Sequence, residues 1–175
     1  MRIGVGLPTS TPGTSGPVLL EWARRAEQRR FSSLGVTDRL VYDCADPLVA
    51  LAAAVAVTSR VRLVTMIVIG PVRETAVLAK QAASVDRLSG GRLVLGVGLG
   101  ARRNDYEAAG ARWADRGRRL SDQLAALRDV WEGEAIGPRP ACPGGPQLLV
   151  GGGSGPAFLR AARYADGVDR RGPSR

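Results

Sequence analysis

The fold is decided by the stretch Asp86-Arg87-Leu88-Ser89-Gly90-Gly91-Arg92-Leu93-Val94-Leu95-Gly96-Val97-Gly98-Leu99-Gly100. Apolar side chains recur at helical spacing before it and in its first part, at Leu78, Ala82, Val85 and Leu88. Gly90 and Gly91 can end that helix and turn the chain. Residues 93–97 form a short apolar run, which is typical of a strand buried on both faces of a parallel sheet. The stretch therefore predicts a helix that leads into a buried strand.

Glycines alternate along this strand and past its end, at Gly96, Gly98 and Gly100. Because glycine has no side chain, another group can lie directly against the backbone on that side of the strand. A neighbouring helix or strand can pack closely there, or a bound molecule can approach the backbone. The stretch by itself favours packing.

Outward from this stretch, strand and helix patterns alternate along the whole chain. Strands are predicted at residues 2–7, 33–37, 61–69, 93–97 and 147–150, and residues 166–168 can begin a sixth. Helices are predicted at residues 17–28, 46–58, 74–88, around 120–131 and at 155–164, while residues 101–117 form a polar segment. This alternation predicts an α/β fold with a parallel sheet, which is either an open doubly wound sheet or part of a barrel.

The helix at residues 46–58 has a clear start and an unusual composition. Asp46 can cap it, and Pro47 occupies the first helical position. The remaining residues are almost all Ala, Val and Leu. A helix that is apolar on every side is usually buried, either inside the fold or in a contact between subunits.

The composition limits the classes of protein to which the chain can belong. It has 175 residues, 45% of them hydrophobic, which suits one domain with a sizeable core. The net charge is +9, but only 5% of the residues are aromatic, so a base-stacking surface is poorly supplied and nucleic acid is not the expected partner. No apolar stretch is long enough for a membrane helix, and the amino terminus has no signal-peptide core. We therefore expect a cytoplasmic protein with no membrane partner.

The chain contains no histidine, which removes the commonest general base and metal ligand. Cys44 and Cys142 are too few for a disulfide framework. Without histidine, they also leave little basis for a zinc site. No metal is expected.

In either architecture the functional groups lie at the carboxyl ends of the strands. These ends are Pro8-Thr9, Asp38-Arg39 and residues 65–70, 98–103 and 151–154. In the last segment, glycines followed by Ser154 expose consecutive backbone N–H groups at the positive end of a helix, which suits a phosphate. The alternative is a tight turn with Ser154 as the helix cap, but the run of glycines is longer than a cap needs.

Together these segments resemble the bacterial luciferase-like family of flavin- or deazaflavin-dependent oxidoreductases. The resemblance spans nearly the whole chain and depends on the shared order of short motifs, each of which is weak alone. The motifs are Ile3-Gly4-Val5-Gly6-Leu7-Pro8, Asp46-Pro47-Leu48, Thr58-Ser59-Arg60-Val61-Arg62-Leu63, Ala79-Lys80-Gln81-Ala82-Ala83, Asp86-Arg87-Leu88-Ser89-Gly90-Gly91-Arg92-Leu93, Gly96-Val97-Gly98, Gly117-Arg118-Arg119-Leu120, Gly151-Gly152-Gly153-Ser154 and Ala165-Asp166-Gly167.

The resemblance implies a TIM (β/α)8-barrel of the luciferase-like type, incomplete here with about five βα units. The barrel domain would be residues 1–168, followed by a basic tail at 169–175. FMN or the deazaflavin coenzyme is the implied cofactor. By position, the implied cofactor-binding residues are Asp38, Thr65, Met66, Gly98, Gly100, Gly152, Gly153 and Ser154.

The resemblance implies a more specific role for two sets of these residues. Residues 65–67 match a third-strand bulge that backs the flavin ring and in many members holds a non-proline cis peptide. Gly98 and Gly100 match the end of the fourth strand, which lies close to the cofactor. With the resemblance in view, approach of a cofactor explains the alternating glycines better than packing does.

The chain departs from the family pattern in two ways. Many members carry Asp-His after the second strand, whereas this chain has Asp38-Arg39, and arginine cannot accept a proton near neutral pH. Arg39 can instead pair with a phosphate or with the anion of reduced flavin. A complete barrel needs about 250 residues, and this chain ends where the sixth strand would begin.

The leading hypothesis is a flavin-dependent oxidoreductase of the luciferase-like monooxygenase type, which carries out hydride or oxygen chemistry on a small organic substrate. The cofactor supplies most of this chemistry, so no catalytic residue is assigned. The alternative is a non-catalytic remnant that retains the phosphate turn or serves as a partner subunit, which leaves open whether the chain is an enzyme. Because a partial barrel exposes two strand edges, a homo-oligomer or a complementing fragment is expected.

Overall fold

The computed structural model describes residues 2–169, which form a parallel β-sheet with helices between its strands. The strands are β1 (Gly4–Gly6), β2 (Ser33–Val36), β3 (Arg62–Thr65), β4 (Val68–Ile69), β5 (Leu93–Gly98), β6 (Gln147–Gly151) and β7 (Gly167–Asp169). The helices are α1 (Gly16–Gln28), α2 (Pro47–Val55), α3 (Thr75–Ser89), α4 (Arg103–Ala108), α5 (Arg116–Glu132) and α6 (Gly155–Tyr164).

The order of the strands decides between the two predicted architectures. Neighbouring strands follow one another as β1-β2-β3-β5-β6-β7, and β4 pairs with β5 beyond the end of β3. A doubly wound sheet reverses its strand order partway, and this sheet does not. Since right-handed crossovers in one direction put every helix on the same face, the described residues form a half-barrel rather than an open doubly wound sheet.

The stretch around β5 has the structure that its sequence predicts. α3 ends at Ser89, and Gly90 follows in the left-handed conformation with φ 67°. Every residue of β5 is buried. Leu78 of α3 and Leu124 of α5 are fully buried in the same core, and the indole of Trp131 donates a hydrogen bond to the carbonyl of Ala79 at 3.0 Å. These contacts place α3 and α5 on the outer face of the strand.

The predicted strand at residues 61–69 is interrupted. β3 and β4 are separated by Met66 and Ile67, whose peptide bond is cis, as the resemblance implied. The hydroxyl of Thr65 donates to the carbonyl of Gly96 and accepts from its N–H, both at 2.8 Å. The chain therefore bends inward after Thr65 and lies against β5.

This bend explains why glycine occupies positions 96 and 98 of the alternating series. A β-carbon on Gly96 would overlap the carbonyl oxygen of Thr65, and one on Gly98 would lie 2.9 Å from Cδ1 of Ile67. A β-carbon on Gly151 would lie 2.6 Å from Cγ2 of Ile67. Because the Ile67 side chain occupies the space beside these glycines, the distances support the packing interpretation for Gly96 and Gly98.

Two arginines from the luciferase-like motifs tie together the loops at the amino-terminal ends of the strands. Arg60 donates to the carbonyls of Glu27 and Phe31 at 2.6 and 2.9 Å. Arg92 donates to the carbonyl of Thr58 at 2.9 Å. These arginines satisfy carbonyl groups that would otherwise lack partners at helix ends, so their motifs serve the stability of the barrel.

Two features differ from the sequence prediction, namely the end of α2 and the placement of Asp169. Asp46 caps α2 as predicted, accepting from the N–H groups of Leu48 and Val49 at 2.9 and 3.1 Å. The helix ends at Val55 instead of residue 58, and it is covered on one side only, because Val49 is 64% exposed. Asp169, which was assigned to the tail, is the last residue of β7, and residues 170–175 lie outside the described part of the chain.

Glu27 gives the fold a testable dependence on pH. Burial raises its pKa, but hydrogen bonds from the backbone N–H groups of Val61, Ser59 and Arg60 outweigh this and hold the pKa below its ordinary value. A lowered pKa in the folded state contributes stability that is present above the ordinary glutamate pKa of about 4.3 and is lost as pH falls through the folded-state value. We expect Glu27→Gln to lower the melting temperature at neutral pH and to flatten its fall at acidic pH.

Glu21→Gln is the matched control for this measurement. Glu21 also lies on α1, but it is half exposed and pairs with Arg25 on the same helix, so its loss should change the melting temperature little. Thermal melts across the acid range decide the outcome. Parallel curves for the parent and Glu27→Gln would show that the Glu27 carboxylate does not link the loops.

Candidate functional site

A cavity of about 980 Å³ opens at the carboxyl ends of the strands. Residues at the ends of β2, β4, β5, β6 and β7 line it, together with the amino-terminal part of α6. Ile67, Ile69, Leu99 and Leu120 provide apolar walls. Folds built of βα units bind their ligands at this end of the sheet.

The turn between β6 and α6 supplies backbone donors to this cavity. Gly152 has φ 136°, and its N–H donates to the carbonyl of Asp169 at 3.2 Å. The N–H groups of Gly153 and Ser154 have no acceptor within residues 2–169. The Ser154 side chain makes no capping hydrogen bond, so the helix start has unpaired donors as well as the positive end of its dipole. The turn can therefore hold an anion such as a phosphate.

Arg160 brings a positive charge to the same end of the cavity. It lies on α6, two turns after Ser154, and lines the cavity. Its Nε donates to the Ser121 hydroxyl at 3.0 Å, and its Nη2 donates to the carbonyl of Gly117 at 2.9 Å. These uncharged acceptors orient the guanidinium without neutralising it. Sequence reasoning missed Arg160, although its spacing from the glycine turn was available as a signal.

Asp38 lines the opposite side of the cavity, where it joins three segments. Its carboxylate accepts from the N–H of Ile69 at 2.9 Å and from Arg73 at 3.1 Å. Arg73 also pairs with the capping residue Asp46 at 2.8 Å. Burial raises the pKa of Asp38, and the charge of Arg73 opposes that rise. Through these contacts, the Asp38 carboxylate holds the loop after β2 beside β4.

Arg39 lies next to Asp38 and contacts a second buried carboxylate. Its Nε donates to Asp105 Oδ2 at 2.7 Å, and the backbone N–H groups of Leu40 and Val41 donate to Asp105 Oδ1 at 3.0 and 2.8 Å. Burial raises the pKa of Asp105, but these hydrogen bonds and the charge of Arg39 lower it by more. Asp105 belongs to α4, a helix that the sequence analysis did not predict within the polar segment 101–117.

Tyr106 fixes the neighbouring turn of α4. Its hydroxyl donates to the carbonyl of Leu99 at 2.5 Å, and its ring packs edge-on against Trp113 with 4.9 Å between ring centroids. Burial raises the pKa of Tyr106 to about 12. The hydroxyl therefore remains a protonated donor near neutral pH and anchors α4 to the end of β5.

The structure brings only some of the predicted cofactor-binding residues to the cavity. Those that line it are Asp38, Gly100, Gly152, Gly153 and Ser154. Thr65, Met66 and Gly98 are not among its lining residues. Thr65 is fully buried against Gly96, and Met66, which is 38% exposed, has its sulfur beside Gly35 of β2. Besides Arg160, sequence reasoning missed Asp169, and it included Arg102 only within the strand-end segment 98–103; both line the cavity.

Within residues 2–169, no group of three or more cysteine, aspartate or glutamate side chains is arranged to hold a metal ion. None of the helices described has the length and apolar character required to span a bilayer.

A family model described as luciferase-like monooxygenase matches residues 1–169. An uncharacterised protein of Mycobacterium tuberculosis (strain ATCC 25618 / H37Rv) is 35% identical over 136 residues, which cover 70% of this chain and 48% of that protein. An FMNH(2)-dependent dimethylsulfone monooxygenase of Pseudomonas fluorescens (strain Pf0-1) is 30% identical over 131 residues, which cover 65% of this chain and 35% of that enzyme. The chain spans half or less of the length of these relatives.

Solved structures share the fold. The monooxygenase RslO1 from Streptomyces bottropensis matches with a TM-score of 0.84 and 27% identity, over 96% of this chain and 59% of that one. An F420-dependent secondary alcohol dehydrogenase in complex with an F420–acetone adduct matches with a TM-score of 0.75 and 22% identity, over 96% of this chain and 58% of that one. The half-barrel thus corresponds to somewhat more than half of each larger structure.

Proposed function

The chain belongs to the luciferase-like monooxygenase family, and we propose from this that it binds a flavin and takes part in hydride or oxygen chemistry on a small organic substrate. FMN or the deazaflavin coenzyme F420 is the proposed cofactor, because one relative is an FMNH(2)-dependent monooxygenase and an F420-dependent dehydrogenase shares the fold. When bound, the flavin supplies the redox chemistry. The residues of this chain bind it, orient it and exclude water from it.

The observation that carries this proposal is the fit between the cavity and an elongated phosphate-bearing molecule. The free N–H groups of Gly153 and Ser154, the start of α6 and the guanidinium of Arg160 form one cationic end. Apolar side chains of Ile67 and Ile69 line the cavity beyond it. A flavin has the matching order of groups, with a phosphate at one end of a polyol chain and a flat, largely apolar ring at the other.

No proton-transferring side chain is assigned. The chain has no histidine, Asp38 is paired with Arg73, and Asp105 is paired with Arg39. The alternative function, a flavin-binding subunit without turnover, uses the same phosphate turn.

We expect Gly152→Ala to weaken FMN binding by about tenfold or more, because Gly152 shapes the turn that presents the free N–H groups. Its φ of 136° is one that residues with a side chain rarely adopt, and a β-carbon there would lie 3.0 Å from the β-carbon of Ala157. Loss of one hydrogen bond to a charged phosphate is equivalent to about 1.5–3 kcal/mol. Titration of FMN against protein fluorescence measures the dissociation constant.

Gly16→Ala is the control for this titration. Gly16 begins α1, is not among the residues that line the cavity, and has no neighbouring atom within 4 Å of its β-carbon position, so alanine should fold normally and leave FMN affinity nearly unchanged. Equal affinities for the parent and Gly152→Ala would remove the phosphate turn from the proposal. If FMN binds normally but no test substrate is oxidised or reduced, the result would support the alternative function, a flavin-binding subunit without turnover.

A further inference from the structure

Asp105 is a fully buried carboxylate that holds the loop after β2 in one conformation. Both of its oxygens accept hydrogen bonds from that loop, one from Arg39 and the other from the N–H groups of Leu40 and Val41. No part of the Asp105 side chain is exposed. A buried carboxylate with this set of partners restrains them strongly, because separating them would leave an unpaired buried charge. The loop and α4 therefore behave as one unit.

The bond to Asp105 also determines which part of Arg39 faces the cavity. Nε is bonded to Asp105, and Nη2 lies 3.4 Å from both the carbonyl of Val41 and Oδ1 of Asn104. Nη1 has no hydrogen-bond partner within residues 2–169. The side chain is 29% exposed and lines the cavity. A cationic N–H group is thus left available to a ligand.

Arg39 lies at the other end of the cavity from the phosphate turn. Arg39 follows β2 and the turn follows β6, and the sheet order puts three strand spacings between them. At about 4.8 Å per spacing, the separation along the sheet is about 14 Å. If the turn holds the phosphate of a flavin, the cavity would leave room for the ring on the side of β2 and Arg39.

Reduced flavin loses a proton from its ring near neutral pH, and the resulting anion is stabilised by a nearby cationic donor. Resting on the proposed function, we propose that Arg39 contacts the anionic reduced ring and that Asp105 is the positioning residue that holds Arg39 there. The pair favours the reduced cofactor over the oxidised one. The neighbouring carboxylate of Asp38 is bonded to Arg73, which it shares with Asp46, and to the N–H of Ile69, and it makes no hydrogen bond to Arg39.

The test measures FMN affinity twice for each variant, once with oxidised FMN and once anaerobically with FMN reduced by dithionite, at mildly alkaline pH. Arg39→Met keeps the length of the side chain and removes its donors. Arg39→Lys keeps the charge but lacks the planar group that bonds Asp105 and the ligand together. Asp105→Asn keeps an acceptor for the loop N–H groups but turns an amide donor toward Arg39. Arg103→Gln is the control, since Arg103 lies on the same helix and pairs with Glu107 outside the cavity.

We expect Arg39→Met to weaken binding of reduced FMN about tenfold, as loss of a charged hydrogen bond predicts, and to change the affinity for oxidised FMN much less. Arg39→Lys should not restore the preference, and Arg103→Gln should match the parent. For Asp105→Asn, the direction of the change in affinity for reduced FMN distinguishes two explanations. Removal of a negative charge alone would tighten binding of the anion, whereas loss of the positioning contact weakens it, and we expect weakening.

Three results would overturn the inference while leaving the proposed function in place. These are equal losses for oxidised and reduced FMN in Arg39→Met, tighter binding of reduced FMN by Asp105→Asn, and a control variant that behaves like Arg39→Met. If the parent protein binds neither form of FMN while remaining folded, the proposed use of FMN fails, and the inference fails with it.

Discussion

Gly96→Ala is expected to destabilise the protein by about 3 kcal/mol, at the upper end of the usual range for overpacking. The added β-carbon would overlap the carbonyl oxygen of Thr65, which is backbone and cannot rotate away. Relief requires movement of β3 away from β5, and this breaks the paired hydrogen bonds between Thr65 and Gly96. The free energy of unfolding from urea denaturation measures the loss.

Gly16→Ala is the control for this substitution. Gly16 begins α1, and no atom lies within 4 Å of its β-carbon position. Alanine there reduces the entropy of the unfolded chain, so it should leave stability unchanged or raise it by about 0.4–1 kcal/mol. Similar urea midpoints for Gly96→Ala and the parent would mean that β3 and β5 are not packed as closely as described.

The polypeptide of residues 1–175, expressed by itself, is expected to be recovered as an oligomer or an aggregate instead of a stable monomer. Within residues 2–169, β1 pairs only with β2, and β7 pairs only with β6, so two strand edges carry unpaired backbone groups. Gly4 and Gly6 of β1 are exposed, which leaves the edge strand with little side-chain protection. Size-exclusion chromatography with light scattering measures the mass.

The exposed side of α2 is a second surface that can bind a partner. α2 carries no charged residue, and Val49 is 64% exposed on it. Val49→Lys should reduce association if this side of α2 forms the contact, and it should have no effect if the strand edges do. A soluble monomer with a sharp cooperative melting transition would contradict both accounts of association.

Local signals in the sequence were sufficient for most of the secondary structure. The end of α3 at Gly90 and the cap of α2 at Asp46 each depend on a few neighbouring residues. Helix α4 was missed because it has only six residues and no apolar periodicity of its own. Its place is set by Asp105 and Tyr106, whose partners lie in other segments.

The candidate site likewise contains some residues that the local sequence could identify and others whose roles depend on the folded chain. The turn at Gly152 and Ser154 was predicted because its glycines and the helix that follows are adjacent in sequence. The roles of Thr65 and Gly98 could not be obtained in that way, since they depend on where the Ile67 side chain lies after the chain bends. The same glycine spacing is compatible with packing and with ligand approach.

Local patterns were enough to predict the alternation of strands and helices, the family, and the glycine turn before α6, because these follow from periodicity, caps and motifs within short segments. The tertiary structure alone decided that β1 to β7 form a half-barrel, that Ile67 fills the space beside the glycines, and that Asp105 orients Arg39 across 66 positions of sequence. A hydrogen bond between residues so far apart has no local signal. It exists only because parallel strands bring the loops that follow them to the same end of the sheet.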